Sequence, residues 1–452
     1  MTTPVTTIET RRPAAKRADA RRLSDIPGSD SLLELGHLLR DATLFFHERF
    51  ERHGRIFKSR LVYPVVFLIG DEANKSILVT RRHEVSMGMG YAQTAIKRVF
   101  EGSIMLQDGD AHDRTRDILT PAVGKLAIRD SRARVHGTWS RAASLAAGGR
   151  ADVYALAERT TFEVSANVLT GLELGQETEA FRPYFERLIE GVMAATTIRF
   201  PLGKLDRALR ARAELVRLLR PRVEAARAGE PSGLLGQLAH HRDPEGRHLP
   251  IDDIIGHLLL LFWASYDTTA SSGAWVLHEL ARRIDWQERL RDELTRAMGD
   301  DPAGVEEESN IPQAGWFLQE IERMHPSVLF FPRIAIADIA FGGFVIPDGT
   351  PVFYSPYMSH RDPATWDHPN TFDPDRWSPA RGERRAMAGK LVGFGGGPRV
   401  CLGKSFAKQQ LKLMLHAILT RYRIEPDPTS RPSIQTLPVH HPNGSHVFLR
   451  PL

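Results

Sequence analysis

The segment from Ile251 to about Arg283 constrains this chain more than any other. It reads as one long helix, and from Leu258 to Trp263 it is apolar nearly all round. A helix with no face to give to water runs through the interior of a large protein. Its apolar part is too short for a membrane span, which needs roughly 20 apolar residues, and it carries His257. The rest of the chain must surround this helix on every side, and 452 residues are enough to do so.

The surrounding pattern is also mostly helical. Apolar residues recur at three-to-four spacing from about Asp110 to Gly229, with breaks at Pro121, Gly171 and Pro201. Shorter helices continue to His325, and a last strong helix spans Leu402 to Tyr422. Strand patterns are few: RIFKSRL and VVFLIG around a turn at Tyr63-Pro64, then Arg333 to Ala337 and Gly343 to Tyr354. Ile26-Pro27-Gly28 marks an initial turn, and Arg361 to Gly393 is a Pro- and Asp-rich coil. The expected fold is mainly α, a large helical lobe around the long central helix with a small β-rich lobe. Residues 25–452 read as one domain behind an Arg-rich tail, residues 1–24. That tail has no apolar stretch for a secretory signal. It reads as disordered or as a transit-type segment, with a cytoplasmic location as the default.

Charge and cysteine content remove several function classes. The net charge is +5, and the arginines sit among acids within helical patterns. No zinc-finger spacing or aromatic-interleaved basic stripe appears, so no nucleic-acid partner is expected. One cysteine, Cys401, excludes internal disulfides and multi-cysteine metal cages. A lone cysteine is commonly an inert core residue, so its surroundings must decide its role.

Those surroundings are Phe394-Gly-Gly-Gly-Pro-Arg399-Val-Cys401-Leu-Gly403. Three successive glycines are costly to order and serve where backbone comes close to something or takes positive φ. Cys401 stands at the start of the final helix, where free N–H groups and the helix dipole favour a thiolate. This loop resembles the haem loop of the cytochrome P450 family, which carries Phe, two glycines, Arg, Cys and Gly at this spacing. The resemblance implies a P450 fold, haem b (iron protoporphyrin IX) as cofactor and Cys401 as the thiolate ligand of the iron. It implies a seat formed by Phe394, Gly395 and Gly403, with Arg399 pairing with a haem propionate.

Further motifs follow in the family's order. Glu320-Ile-Glu-Arg323 places an acid and a base one helical turn apart. Phe372-Asp-Pro-Asp-Arg376-Trp377 lies downstream. The resemblance gives Glu320, Arg323 and Arg376 a structural role, a buried triad supporting the haem loop. His112 and Arg116 are spaced to face one anion, and Arg333 opens a strand; by resemblance all three hold propionates. The long helix carries Ala264-Ser-Tyr-Asp267-Thr268-Thr269, a poor choice for a buried helix unless its polar groups have partners or a function. The family places an acid and an alcohol here, bending the helix over the haem. This assigns the proton relay to Asp267 and the hydrogen bond to dioxygen to Thr268. Ser265 departs from the family's usual glycine beside the oxygen groove, and Trp263 and Tyr266 are bulky there.

By resemblance the chain is a monooxygenase that inserts one oxygen atom of O2, with electrons from a ferredoxin or flavodoxin and its reductase. Lys404, Lys408 and Lys412 recur every four residues on the final helix and suggest a basic docking patch. Two other classes stay open: a peroxide-using or rearranging haem-thiolate enzyme (peroxygenase, isomerase), and a haem-based sensor. Peroxide-driven turnover without reductant tests the first, and an NAD(P)H-coupled product excludes the second. The pocket is expected to draw on Met105, Met193, Trp263, Ala264, Leu329, Phe330 and Val439. These residues are mostly apolar, so the substrate is a lipophilic small molecule with a terpenoid, sterol-like or polyketide skeleton, as in secondary metabolism. The loop with Lys404, Phe406 and Ala407 is most similar to the retinoid- and sterol-oxidising branch. His440-His441 read as lining the pocket or surface. A monomer without a transmembrane anchor is expected.

Overall fold

The structure, a computed structural model, describes residues 22–452 except 174, 195–196, 232, 244, 300–309 and 382–388. The tail expected at 1–24 therefore lies almost wholly outside the described residues.

The central helix runs unbroken from Ile251 to Leu280. It packs most extensively along a flanking helix, Val153–Thr170, and also against Lys204–Ala228 and the final helix, Lys404–Leu419. Two apolar clusters form on these helices. One gathers Phe162, Phe181, Phe185 and Phe262 with Leu215 and Leu258. The other gathers Trp139, Trp275, Leu290, Phe317 and Met414. Each large side chain so buried contributes about 1.5–3 kcal/mol, so the central helix is held from both sides by its own apolar residues. Gly273 lets it approach its neighbours: a Cβ there would stand 3.4 Å from Ala157 and from Met414.

The β-rich lobe centres on one six-stranded sheet. Its order is Gly28–Ser29, Ile56–Arg60, Pro64–Leu68, Pro351–Tyr354, Phe331–Ala335 and Val85–Ser86. The hairpin expected around Tyr63-Pro64 is present, with Phe57 opposite Phe67 and their rings stacked at 5.1 Å. Strand Pro351–Tyr354 joins it in parallel, Val66 facing Val352. Strand Arg150–Asp152 pairs with His446–Pro451, which pairs with Tyr422–Pro426. The short segment Arg150–Asp152 carries no alternation that the sequence reading could use.

Three boundaries differ from expectation. The final helix starts at Lys404 and stops at Leu419, because Tyr422 pairs as a strand with Pro451. The strand expected over Gly343–Tyr354 is two, split at Pro347, which lacks an N–H, and Gly349, whose φ is +79°. The break expected at Pro121 falls one residue later: helix Gly109–Ala122 ends there and the next helix starts at Lys125. Among the described residues no helix is long and apolar enough to cross a membrane.

Candidate active site

The cysteine loop is a tight backbone construction. Gly395 N–H donates to Val392 O at 2.9 Å, Cys401 N–H to Phe394 O at 2.8 Å, and Val400 N–H to Gly397 O at 3.1 Å. Gly395 and Gly397 have φ of +72° and +60°. A Cβ on Gly397 would lie 2.0 Å from Leu78 O, so only glycine fits there. Cys401 precedes the first residue of the final helix by three positions. The residue is accessible to solvent, yet its thiol is closely surrounded by protein. Burial pushes the Cys401 thiol up, outweighing the Gly403 N–H, Arg116 and Lys404, which favour the thiolate. The helix start favours a thiolate, as the sequence implies, but desolvation is the larger effect. Metal coordination overrides both, since a coordinating thiol is deprotonated outright.

The loop rests on a buried ionic clamp. Arg323 donates to both Glu320 oxygens, at 2.7 and 2.9 Å, and Arg376 Nε donates to Oε1 at 3.2 Å. Trp377 Nε1 and the Asp373 N–H donate to the same carboxylate, at 3.0 and 2.8 Å. Glu320, Arg323 and Arg376 have no exposed surface. The expected triad is therefore one fully bonded unit, with Arg323 also donating to the carbonyls of His360, Pro369 and Thr371. Sequence reading missed His360. Its Nε2 accepts from Val392 N–H at 2.9 Å and its Nδ1 meets Arg323 O at 3.1 Å, tying the clamp to the loop. That pattern requires a neutral ring, and burial holds its pKa at about 3.

The four expected propionate partners form one electrostatic group, of which Arg116 also acts on the Cys401 thiol. Arg399 donates to Gln107 O and Asp108 Oδ1, both at 2.5 Å. Arg333 is buried against the Tyr354 ring, at 5.3 Å. Burial lowers the His112 pKa, with Arg399 and Arg116 close enough to act in the same direction. Arg333 acts likewise on Arg399, whose own shift comes first from burial.

On the central helix, Ala264 is exposed and Thr268 is half-exposed, although most of their neighbours are buried. Thr268 Oγ1 donates to Ala264 O at 2.6 Å. Asp267, buried at 6%, faces the flanking helix and accepts from the Tyr154 hydroxyl at 2.9 Å. Its carboxyl is held above the usual carboxylate range, chiefly by burial. The acid and the alcohol thus point to different partners, and the helix carries them without a break. Ser265 bonds Ser165 at 2.9 Å, so its hydroxyl is directed at the flanking helix and not at a groove.

The expected pocket residues divide. Trp263 stacks on Phe100 at 5.1 Å, and Met105 packs partly buried beside it in the same apolar cluster. Leu329 and Val439 are 2% and 6% exposed and so present little surface to a ligand. Phe330 packs among Phe46, Phe67 and Phe353. Met193 ends helix Gln176–Val192 and is 48% exposed, outside that cluster. His440 and His441 are buried: Ser271 and Trp275 donate to the His440 carbonyl, and the His441 ring stacks on Tyr154. The three-lysine docking row fails, because Lys412 is buried and Lys404 and Lys408 are only half-exposed.

A cysteine in a glycine loop, with Arg116 acting on its thiol and His112, Arg333 and Arg399 grouped with that arginine, fits a dianionic group with an iron centre. A family model, cytochrome P450, matches residues 27–447. The chain belongs to the cytochrome P450 family. It is a haem-thiolate monooxygenase whose cofactor is haem b, and it works with dioxygen, a substrate and an electron-transfer partner. Cytochrome P450 136 of Mycobacterium tuberculosis is 28% identical, covering 98% of this chain and 93% of its own length. Taxane 10-beta-hydroxylase of Taxus cuspidata is 26% identical, covering 90% and 84%. The structure of retinoic acid-bound cyanobacterial CYP120A1 superposes with a TM-score of 0.84 at 26% identity, covering 94% and 99%.

Proposed function

We propose that this P450 oxidises a lipophilic isoprenoid-type molecule, a terpenoid or retinoid-like skeleton, with electrons from a ferredoxin or flavodoxin and its reductase. The carrying observation is the glycine loop that holds Cys401 with Arg116 acting on its thiol, together with the exposed Ala264 and half-exposed Thr268 beside Trp263 on the central helix. Two of the proteins it resembles bear names that include a taxane and retinoic acid. That chemistry suits an apolar, aromatic-walled site.

In this reading the Cys401 sulfur would hold the haem iron, and the glycine loop, His360 and the Glu320 clamp fix the segment that carries it. Bound there, the haem supplies dioxygen activation and oxygen insertion into a C–H bond. Phe394, Gly395 and Gly403 form its seat. His112, Arg116, Arg333 and Arg399 would hold its carboxylates. Thr268 Oγ1 would hold the proton next to the haem and Asp267 would resupply it; such positioned transfer is typically worth 10²–10⁴-fold in rate. Met105, Trp263 and Ala264 contact the substrate.

The test is the absorption spectrum of the dithionite-reduced, carbon-monoxide-bound protein, for wild type and Cys401→Ala, followed by titration with retinoic acid. A strongly red-shifted Soret band lost in the variant is expected, with a further Soret response to retinoic acid. A haem spectrum without the red shift would sink thiolate ligation. No response to retinoic acid or to a taxane diterpene would remove the isoprenoid class.

A further inference from the structure

Three polar bonds join the flanking helix to consecutive residues of the central helix. Ser165 meets Ser265 at 2.9 Å, Thr161 Oγ1 donates to Tyr266 O at 3.1 Å, and Tyr154 donates to Asp267 at 2.9 Å. Tyr154, Thr161 and Ser165 lie seven and four residues apart, one face of a helix. The face therefore ties residues 265–267 to the flanking helix, and at Asp267 the tie is made through the carboxyl itself.

We propose that Tyr154 is a positioning residue for proton delivery, holding the Asp267 carboxyl on the flanking-helix side and releasing it toward Thr268. The proposal rests on the reading of Asp267 as the relay acid.

The donor is the rigid member of this pair. The Tyr154 ring lies flat on the His441 ring, with centroids 3.5 Å apart and planes within 9°. Its backbone N–H is capped by Asp152 at 2.9 Å. The carboxyl accepts this bond from a neutral phenol. A guanidinium or ammonium partner would make a charge-assisted bond roughly twice as strong and would lock the acid in place. The charged groups around this pair are at one remove. Glu158, on the flanking helix, bonds Tyr266 and lies 3.5 Å from Arg182, and Glu186 adds its charge from helix Gln176–Val192. His441 is neutral, its pKa about 4 through burial. The phenol is the group that lowers the Asp267 pKa against the effect of burial. Removing the hydroxyl leaves the carboxyl protonated to higher pH and no longer held.

The test uses the holoenzyme with Tyr154→Phe, Asp267→Asn and the double variant. Tyr154→Phe keeps the ring that packs on His441, and haem content with thermal unfolding checks the fold. The first readout needs no turnover: infrared titration of the protonated carboxyl in the reduced, carbon-monoxide-bound protein, with Asp267→Asn identifying the band. The second is the share of NADPH electrons released as hydrogen peroxide, with a heterologous ferredoxin and its reductase and no added substrate. Tyr154→Phe is expected to move the titration up by about one pH unit and to raise the peroxide share several-fold. The double variant should match Asp267→Asn. An unmoved titration and peroxide share would overturn the proposal, and so would an equal Tyr154→Phe effect in the Asp267→Asn background. If Asp267→Asn leaves the peroxide share unchanged, the relay reading itself fails and this proposal falls with it. A silent Tyr154→Phe beside an active Asp267→Asn removes the positioning role alone.

Discussion

Glu320 accepts five hydrogen bonds from Arg323, Arg376, Trp377 and the Asp373 backbone. On a surface, the pair it makes with Arg323 would be worth about 0.2–1 kcal/mol. Buried, the value lies in what its removal leaves behind: two guanidinium groups without a countercharge. Glu320→Ala is expected to cost about 3–5 kcal/mol, measured by denaturant unfolding, with haem retention falling in step; a loss under 1 kcal/mol would rule the clamp out as a support. The spacing of Glu320 and Arg323 is legible because helical neighbours recur in sequence. His360 was not legible: a histidine in an irregular segment has no periodic signal, and its partner Val392 lies 32 positions away.

The pairing of helices is what sequence periodicity conveys least. The central helix was recognisable from its all-round apolar stretch, and so were the glycine loop and the hairpin at Tyr63. The polar face formed by Tyr154, Thr161 and Ser165 was not, since only the fold shows which helix it meets. Ser265 illustrates the difference: it looked like an intrusion into the oxygen groove, yet its hydroxyl joins the two helices at Ser165. Ser265→Gly removes that bond, worth about 0.5–1.5 kcal/mol, and adds a flexible residue inside a helix. The expected outcome is a loss of about 1–2 kcal/mol in unfolding with the carbon-monoxide spectrum unchanged. A changed spectrum at unchanged stability would place Ser265 in the groove after all.

Across the whole molecule, buried neutral histidines are a common element. Burial holds His360 near pKa 3 and His136, His278 and His441 near 4, with His325 and His440 also well below the usual 6.5. The unfolded chain takes up protons below pH 6.5 while these sites refuse them. Their stabilisation is complete above that pH and is lost progressively as pH falls toward 3–4. Raised buried carboxyls such as Asp267 and Glu322 act with the opposite sign, so one site must be isolated. His360→Gln is expected to be less stable than wild type at pH 7.5, and the gap should narrow by about 2 kcal/mol at pH 5. A gap independent of pH would mean that His360 is not held neutral. The mainly helical fold with its small sheet was legible from periodicity; its long-range strand pairings, such as Arg150–Asp152 with His446–Pro451, were not.

Because Cys401 is the one sulfhydryl in 452 residues and is open to solvent, the protein carries an internal gauge of its own assembly. A maleimide dye can attach at one atom only, and that atom is the one the iron would occupy. Because burial holds this thiol up and the thiolate is what reacts, labelling is run under denaturing conditions after cofactor-free chains have been blocked, and the two dye counts then separate loaded from unloaded chains. The same arithmetic lets cofactor loss be followed during storage, heating or mutagenesis by mass alone.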